Sequence, residues 1–265
     1  MTSIYYQIVR NEFQSLLRAR WLIGYGLIFL ILTDTLFRFS GGGSEVLLSI
    51  SNMILLFIPL ISMLYGILFI YQSRDYLVLL LTQPVNRDTL FWGLFTGISG
   101  PLTAAFIAGT ALPFIWHGNF AGDTTAQTFL VLGLGAFLTF IFTGLGFVMG
   151  LIYFDEKIKG FGYSLMIWLF MAVIYDGLIL LLIFLFGDYP IETGVVGLTM
   201  LNPIDLARIL VLLEFDISAL MGYTGAVFNQ FLGATKGILT AGFMLALWLA
   251  LPMWLGLRIF KKKDF

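Results

Sequence analysis

Asp176 is the residue whose position most demands a chemical explanation. It sits in the string Val173-Ile174-Tyr175-Asp176-Gly177-Leu178, within an apolar run long enough to cross a bilayer, where an ionised side chain costs about 2.5–3.5 kcal/mol on insertion scales. Read along the chain, no Lys or Arg lies at that depth. The expected partner is therefore a hydroxyl on a neighbouring apolar segment, and Thr139 and Thr143 are the candidates. Such a carboxyl serves either as a structural hydrogen bond or as a polar lining or latch between conformations. Other charges are clustered: Arg74-Asp75-Tyr76 followed by Pro84 and Arg87, the run Asp155-Glu156-Lys157-Ile158-Lys159, and Asn202-Pro203-Ile204-Asp205 with Arg208.

What the chain lacks narrows its chemistry. Its 265 residues include no Cys and one His, His117. That leaves no thiolate nucleophile, no disulfide, no His cluster for a metal and no intramembrane Ser–His pair. His117 falls in a short loop and is expected to be a solvated polar residue. Ten methionines offer thioethers that suit Cu(I). They are scattered over different segments, however (Met53, Met63, Met149 and Met253 among them), and are expected to fill gaps in apolar packing. Gly233-Ala234-Thr235-Lys236-Gly237 has the wrong order for a phosphate-binding loop. Neither a catalytic residue, nor a metal site, nor a cofactor of the chain's own is expected, and the protein is read as not an enzyme. A net charge of −1 supplies no field to draw nucleic acid.

The elements that must position these residues follow from composition and periodicity. Charged residues make up 11% of the chain and hydrophobic ones 60%, where a soluble domain has about 25% charged residues. Too little polar surface exists to cover a water-soluble globule. Six segments reach the roughly 20 apolar residues needed to cross a membrane, over 21–37, 47–71, 90–116, 128–153, 161–186 and 238–260. The expected fold is therefore an all-α polytopic membrane protein, one domain over 1–265 with six transmembrane helices. Eleven of the 14 Lys and Arg fall on the side that carries the chain's ends, so the positive-inside rule predicts both ends in the cytoplasm. No cleaved leader is expected, because the first twenty residues are polar-amphipathic and no small-residue cleavage site follows the first apolar run. Over 1–20, Tyr5, Val9, Phe13, Leu16 and Leu17 recur at helical spacing and predict an amphipathic helix along the membrane interface. Trp21, Trp92, Trp116, Tyr71 and Tyr153 fall near span ends, as an interfacial belt requires. Pro59, Pro101, Pro113 and Pro252 are expected to kink spans rather than break them. The pairs Gly93–Gly97 and Gly146–Gly150 predict close helix approach, within the chain or to a second copy.

The connection over 187–237 is expected outside the membrane. Asn202 reads as a helix N-cap, Pro203 as its first position and Asp205 as its first turn. Leu206, Ile209, Leu210 and Leu213 follow at helical spacing. A second stripe comprises Leu220, Met221, Thr224, Val227, Phe228 and Phe231, so two short extracytoplasmic helices are expected. A link between helices needs only about 2–8 residues. The surplus is expected either to pack on the spans or to offer Asn202, Pro203, Asp205 and Arg208 to a partner.

The connection over 71–89 carries the most specific string, Leu79 to Arg87, LLLTQPVNR. It resembles the cytoplasmic coupling loop of ABC-2 type permeases, in which a charged short helix, a leucine run, Pro and Arg dock on an ATPase. The resemblance implies that Arg74, Asp75, Tyr76, Pro84 and Arg87 meet a separate ATPase chain, which binds the ATP and Mg. Asp155 and Glu156, on the second inner connection, are a further candidate contact. Related loops usually carry an acidic residue and a Gly-Thr pair before the leucine run, where this chain has Arg74-Asp75-Tyr76-Leu77-Val78. Leu201-Asn202-Pro203-Ile204-Asp205 with Arg208, and Asp176 in the fifth span, are similar to features of the NosY subfamily, which serves copper-site maturation of nitrous oxide reductase. That likeness implies a bacterial inner membrane, a second copy of the chain, two cytoplasmic ATPase subunits, a periplasmic β-helical partner and surrounding membrane lipids. Alternatives are an ABC-2 exporter of a lipid, drug or polysaccharide, and a structural or signalling membrane subunit without a transported substrate.

Overall fold

The computed structural model describes residues 2–39, 43–82, 85–117, 125–186, 192–215 and 222–263. Pro84, Leu220 and Met221 lie outside them. Every regular element among the described residues is helical: α1 (Thr2–Leu17), α2 (Arg20–Phe39), α3 (Gly43–Gln72), α4 (Arg74–Leu81), α5 (Arg87–Trp116), α6 (Thr125–Ile152), α7 (Lys157–Leu169), a π-helical turn (Phe170–Ile174), α8 (Tyr175–Phe186), α9 (Glu192–Thr199), α10 (Pro203–Glu214) and α11 (Gly222–Lys262). Six stretches are long and apolar enough to cross a membrane: Arg20–Phe39, Glu45–Gln72, Arg87–Trp116, Thr125–Ile152, Lys157–Phe186 and Gly237–Lys262. These are the six spans read from the sequence. Pro59, Pro101, Pro113 and Pro252 all lie inside continuous helices.

The fourth span is the axis of the bundle. Of its most apolar stretch 72% is buried, against 6% for the fifth span. Glycines bring α3 and α6 together backbone to backbone: Gly146 lies against the Met63 carbonyl and Gly150 against Ile70, and a Cβ on Gly66 would meet the Thr143 carbonyl at 2.5 Å. The Gly146–Gly150 pair thus serves packing within the chain. Gly93 and Gly97 serve another helix. Side chains of Ile8 and Glu12 lie on them, so α1 runs along the start of α5 and buries Ile8 and Leu16. The amphipathic stripe of α1 is in part an intramolecular contact, tied further by the Tyr5 hydroxyl to Thr96 at 3.0 Å. Burial of Glu12 in this seam raises its pKa above the ordinary carboxylate value.

The segment between spans five and six differs from expectation. Two short helices are present, but they are α9 and α10; the part of the second predicted stripe within the described residues, Thr224 to Phe231, belongs to the start of α11, which runs on unbroken into span six. Nor do α9 and α10 stay outside the bundle. The Tyr175 hydroxyl donates to the Leu198 carbonyl at 2.5 Å, Asn202 Nδ2 to the Met171 carbonyl at 2.8 Å, and Trp248 Nε1 to the Met200 carbonyl at 3.3 Å. Met171 and Trp248 sit near the middle of their spans, so the turn over 200–202 reaches mid-span depth. The pair is a re-entrant hairpin: α9 descends and α10 returns. Its apolar side chains explain the path, because Ile204, Leu206, Ile209, Leu210, Val211 and Leu213 are all buried against α3, α6 and α11.

Candidate functional site

Two constellations hold the chain's clustered charges, one at an end of the bundle and one at its middle. The end is organised around α4. Leu77 is fully buried, and Leu80 and Leu81 pack on the core, which fixes one face of this eight-residue helix. The other face is free: Asp75 is exposed, as are Tyr76, Val78 and, at 57%, Leu79. Thr82 closes the helix through its hydroxyl on the Leu79 carbonyl at 2.7 Å.

Residues from other connections brace this helix. Arg74 forms an ion pair with Asp155 and lies 5.0 Å from the Phe154 ring centroid. Lys263 approaches the same ring at 5.3 Å and donates to the Leu151 carbonyl at 2.6 Å. Arg87 turns away from α4. Its Nη1 donates to the carbonyls of Lys261 at 2.7 Å, Lys263 at 3.0 Å and Phe260 at 3.3 Å, where a cation offsets the negative end of α11. Lys261 pairs with Asp88 at 2.7 Å, and Glu156 with Lys159 at 2.8 Å. Of the residues expected to meet a partner, Asp75 and Tyr76 thus stand on a free face, Arg74 and Asp155 hold each other, and Arg87 works within the chain. Sequence reasoning passed over Ile158, 90% exposed between Lys157 and Lys159. An apolar side chain flanked by two lysines in a short connection was the available signal.

The second constellation corrects the reading of Asp176. Its partner is neither Thr139, whose hydroxyl bonds the Gly135 carbonyl of its own helix at 2.8 Å, nor Thr143, which is buried on α6 without a side-chain hydrogen bond. The partner is Arg208, in an ion pair with Asp176. Arg208 also reaches Asp205 at 3.2 Å. Asn202 ties the group down: its Oδ1 accepts from the Ile204 amide at 3.0 Å, as the predicted cap requires, and its Nδ2 donates to Asp205 Oδ2 at 3.0 Å. Burial, and next the charge of Asp176, push the Asp205 carboxyl up to about 8. The π-helical turn helps to build the cluster. It shifts the hydrogen bonds of the fifth span by one residue, so that the Tyr175 amide reaches back to the Phe170 carbonyl, and the Met171 carbonyl accepts from Asn202.

This geometry also revises the expected partner surface at 202–208. Asn202 and Asp205 are buried, at 0% and 4% exposure, and Pro203 is buried with them. They stabilise the hairpin's turn and are not presented outward; Arg208 alone of the four keeps part of its side chain free. At the far end of the bundle His117 has company too. It stacks on Phe37 with centroids 4.7 Å apart, and its Nε2 lies 2.9 Å from Asp34 Oδ1. Asp34 also accepts from Arg38 at 2.7 Å and from Trp116 at 3.3 Å.

No protein-family model matches the chain. Over 96% of its length it is 26% identical to the probable ABC transporter permease protein NosY of Pseudomonas aeruginosa, and 25% identical to the protein of that name in Stutzerimonas stutzeri, covering 94% of each. The chain is thus similar, over nearly its whole length, to two proteins named as probable ABC transporter permeases. A match of that extent takes in the spans together with α4 and the hairpin. Within the chain the exposed helix at one end and the charged cluster at mid-span are joined by the fifth span, which begins beside Asp155 and carries Asp176.

Proposed function

We propose that this NosY-like permease is the membrane half of an ABC transporter of the bacterial inner membrane, with two copies paired and two cytoplasmic ATPase subunits docked on the α4 end. ATP and Mg belong to those subunits. The observation that carries the reading is the free face of α4: a short helix held rigidly by Leu77 and by the Arg74–Asp155 pair, presenting Asp75, Tyr76, Val78 and Leu79 beside Ile158. Exposed apolar side chains beside charged ones, on a face that the chain itself leaves uncovered, suit a protein partner. A push on α4 passes through Arg74 to Asp155, along the fifth span to Asp176, and through Arg208 to the α9–α10 hairpin. Pairing of copies finds support in the fifth span, whose most apolar stretch is only 6% buried although the span carries the partly exposed Asp176–Arg208 pair. The hairpin then moves a periplasmic β-helical partner, in the service of copper-site assembly on nitrous oxide reductase.

The test replaces Asp75 by Lys and Leu79 by Asp together. Retention of the ATPase on the purified permease is expected to fall about thirtyfold or more, the size of a lost interface hot spot of about 2 kcal/mol, while the permease melts as before. Undiminished retention would sink the docking assignment. A strain carrying the double variant should yield nitrous oxide reductase depleted in copper; fully loaded reductase would turn the reading toward export.

A further inference from the structure

A groove of 530 Å³ runs between α5, α6 and α11, lined by Trp92, Phe95, Phe140, Ala246, Met253 and Trp254 among others, with Thr96 its one hydroxyl. On α11 the lining extends from Ala246 to Leu257, about 16 Å at 1.5 Å per residue. That is half of a hydrocarbon core of roughly 30 Å, so the groove is one leaflet deep. Its shallow end is marked by two indoles, Trp92 and Trp254, both partly exposed. Over the Trp254 ring, 3.8 Å from its centroid, lies the guanidinium of Arg258. Two nearby cations are engaged elsewhere: Lys261 is paired with Asp88 and Arg87 with the end of α11. Among the described residues Arg258 forms no ion pair, and Lys262 stands exposed one turn on.

We propose that this groove is a binding site for one acyl chain of an anionic phospholipid in the leaflet on the α4 side, with the headgroup phosphate held by Arg258. Apolar lining alone would admit any lipid tail; the guanidinium at the mouth, anchored flat on an indole and without an ion pair among the described residues, selects negative charge. The bound lipid bridges spans three, four and six and is a structural ligand, independent of whatever the ATPase drives.

The test is native mass spectrometry of the full-length permease released from nanodiscs of equimolar phosphatidylglycerol and phosphatidylethanolamine. The expected result is one retained lipid per chain with phosphatidylglycerol preferred about fivefold, the increment of one cation at a membrane surface. Arg258→Gln should bring the two lipids to parity without emptying the groove. Ala250→Trp should empty it, while Leu251→Trp, on the neighbouring exposed face, should not. Equal retention of the two lipids by the unaltered protein overturns the proposal. So does equal loss in the Ala250 and Leu251 variants, which would mark ordinary boundary lipid, and Arg258→Gln keeps the headgroup claim testable should Ala250→Trp misfold.

Discussion

Arg208 serves two carboxylates with one guanidinium, and that imbalance sets what the mid-span cluster can do. With both acids ionised the group carries a net negative charge where water is scarce, so it favours one extra proton, and the deeper carboxyl, Asp205, takes it. An Asp with a folded-state pKa raised from near 4 to about 8 stabilises the fold fully below the lower value and loses that contribution as the pH rises through the upper one. The melting temperature of the detergent-solubilised protein is therefore expected to fall between about pH 4 and about pH 8 and to level off above that, and Asp205→Asn should flatten that slope while keeping the bond from Asn202. Arg208→Gln should destabilise by about 2 kcal/mol, between the values for exposed and buried pairs, and Asp176→Asn in the same chain should recover most of the loss. Full additivity of the two substitutions would mean that the pair is not coupled. The need of Asp176 for a partner was legible in the sequence; the partner was not. Depth had been assigned by order along the chain, and a re-entrant segment brings a cation to a depth that order does not show.

At the scale of elements, spans were the legible part because each needs only length and apolarity. The N-cap at Asn202 could also be read, since caps act locally; the short helix α4 came only through the resemblance to a coupling loop. The π-helical turn had no signal: Phe170–Ile174 is as apolar as its neighbours, and the extra residue becomes visible only when Asn202 bonds a carbonyl there. Glycine spacing predicted close approach without naming the partner, which proved to be α3 for Gly146. Replacing Gly146 by Leu drives a side chain into the Met63 carbonyl, backbone that cannot rotate away. A loss of about 1–3 kcal/mol or more is expected, seen as a lower melting temperature and poorer monodispersity. Gly162→Leu, where nothing lies within 4 Å, should melt within a degree or two of the parent. Matching behaviour of the two variants would remove the argument that α3 and α6 meet through their backbones.

For the molecule as a whole, the bias of Lys and Arg toward the α4 end predicts that this end faces the cytoplasm. A chain without native Cys permits a direct check. A single Cys at Ile158, 90% exposed at the α4 end, should react with an impermeant maleimide only after the membrane is opened. One at Phe39, 86% exposed at the far end, should react in intact cells. The opposite pattern would invert the protein and every partner assigned to either side. The hairpin has a further consequence for how the chain is made. At 12 residues, or about 18 Å, α10 is too short to be retained as a span, and the surface that receives it is built partly by α11. A nascent chain that has emerged only as far as Glu214 therefore lacks part of the surface on which Asp205 and Arg208 are seated. Stable seating of the hairpin is accordingly expected only once the last span is in place, and a chain truncated before α11 should display five inserted spans with Arg208 more accessible to water than in the whole protein.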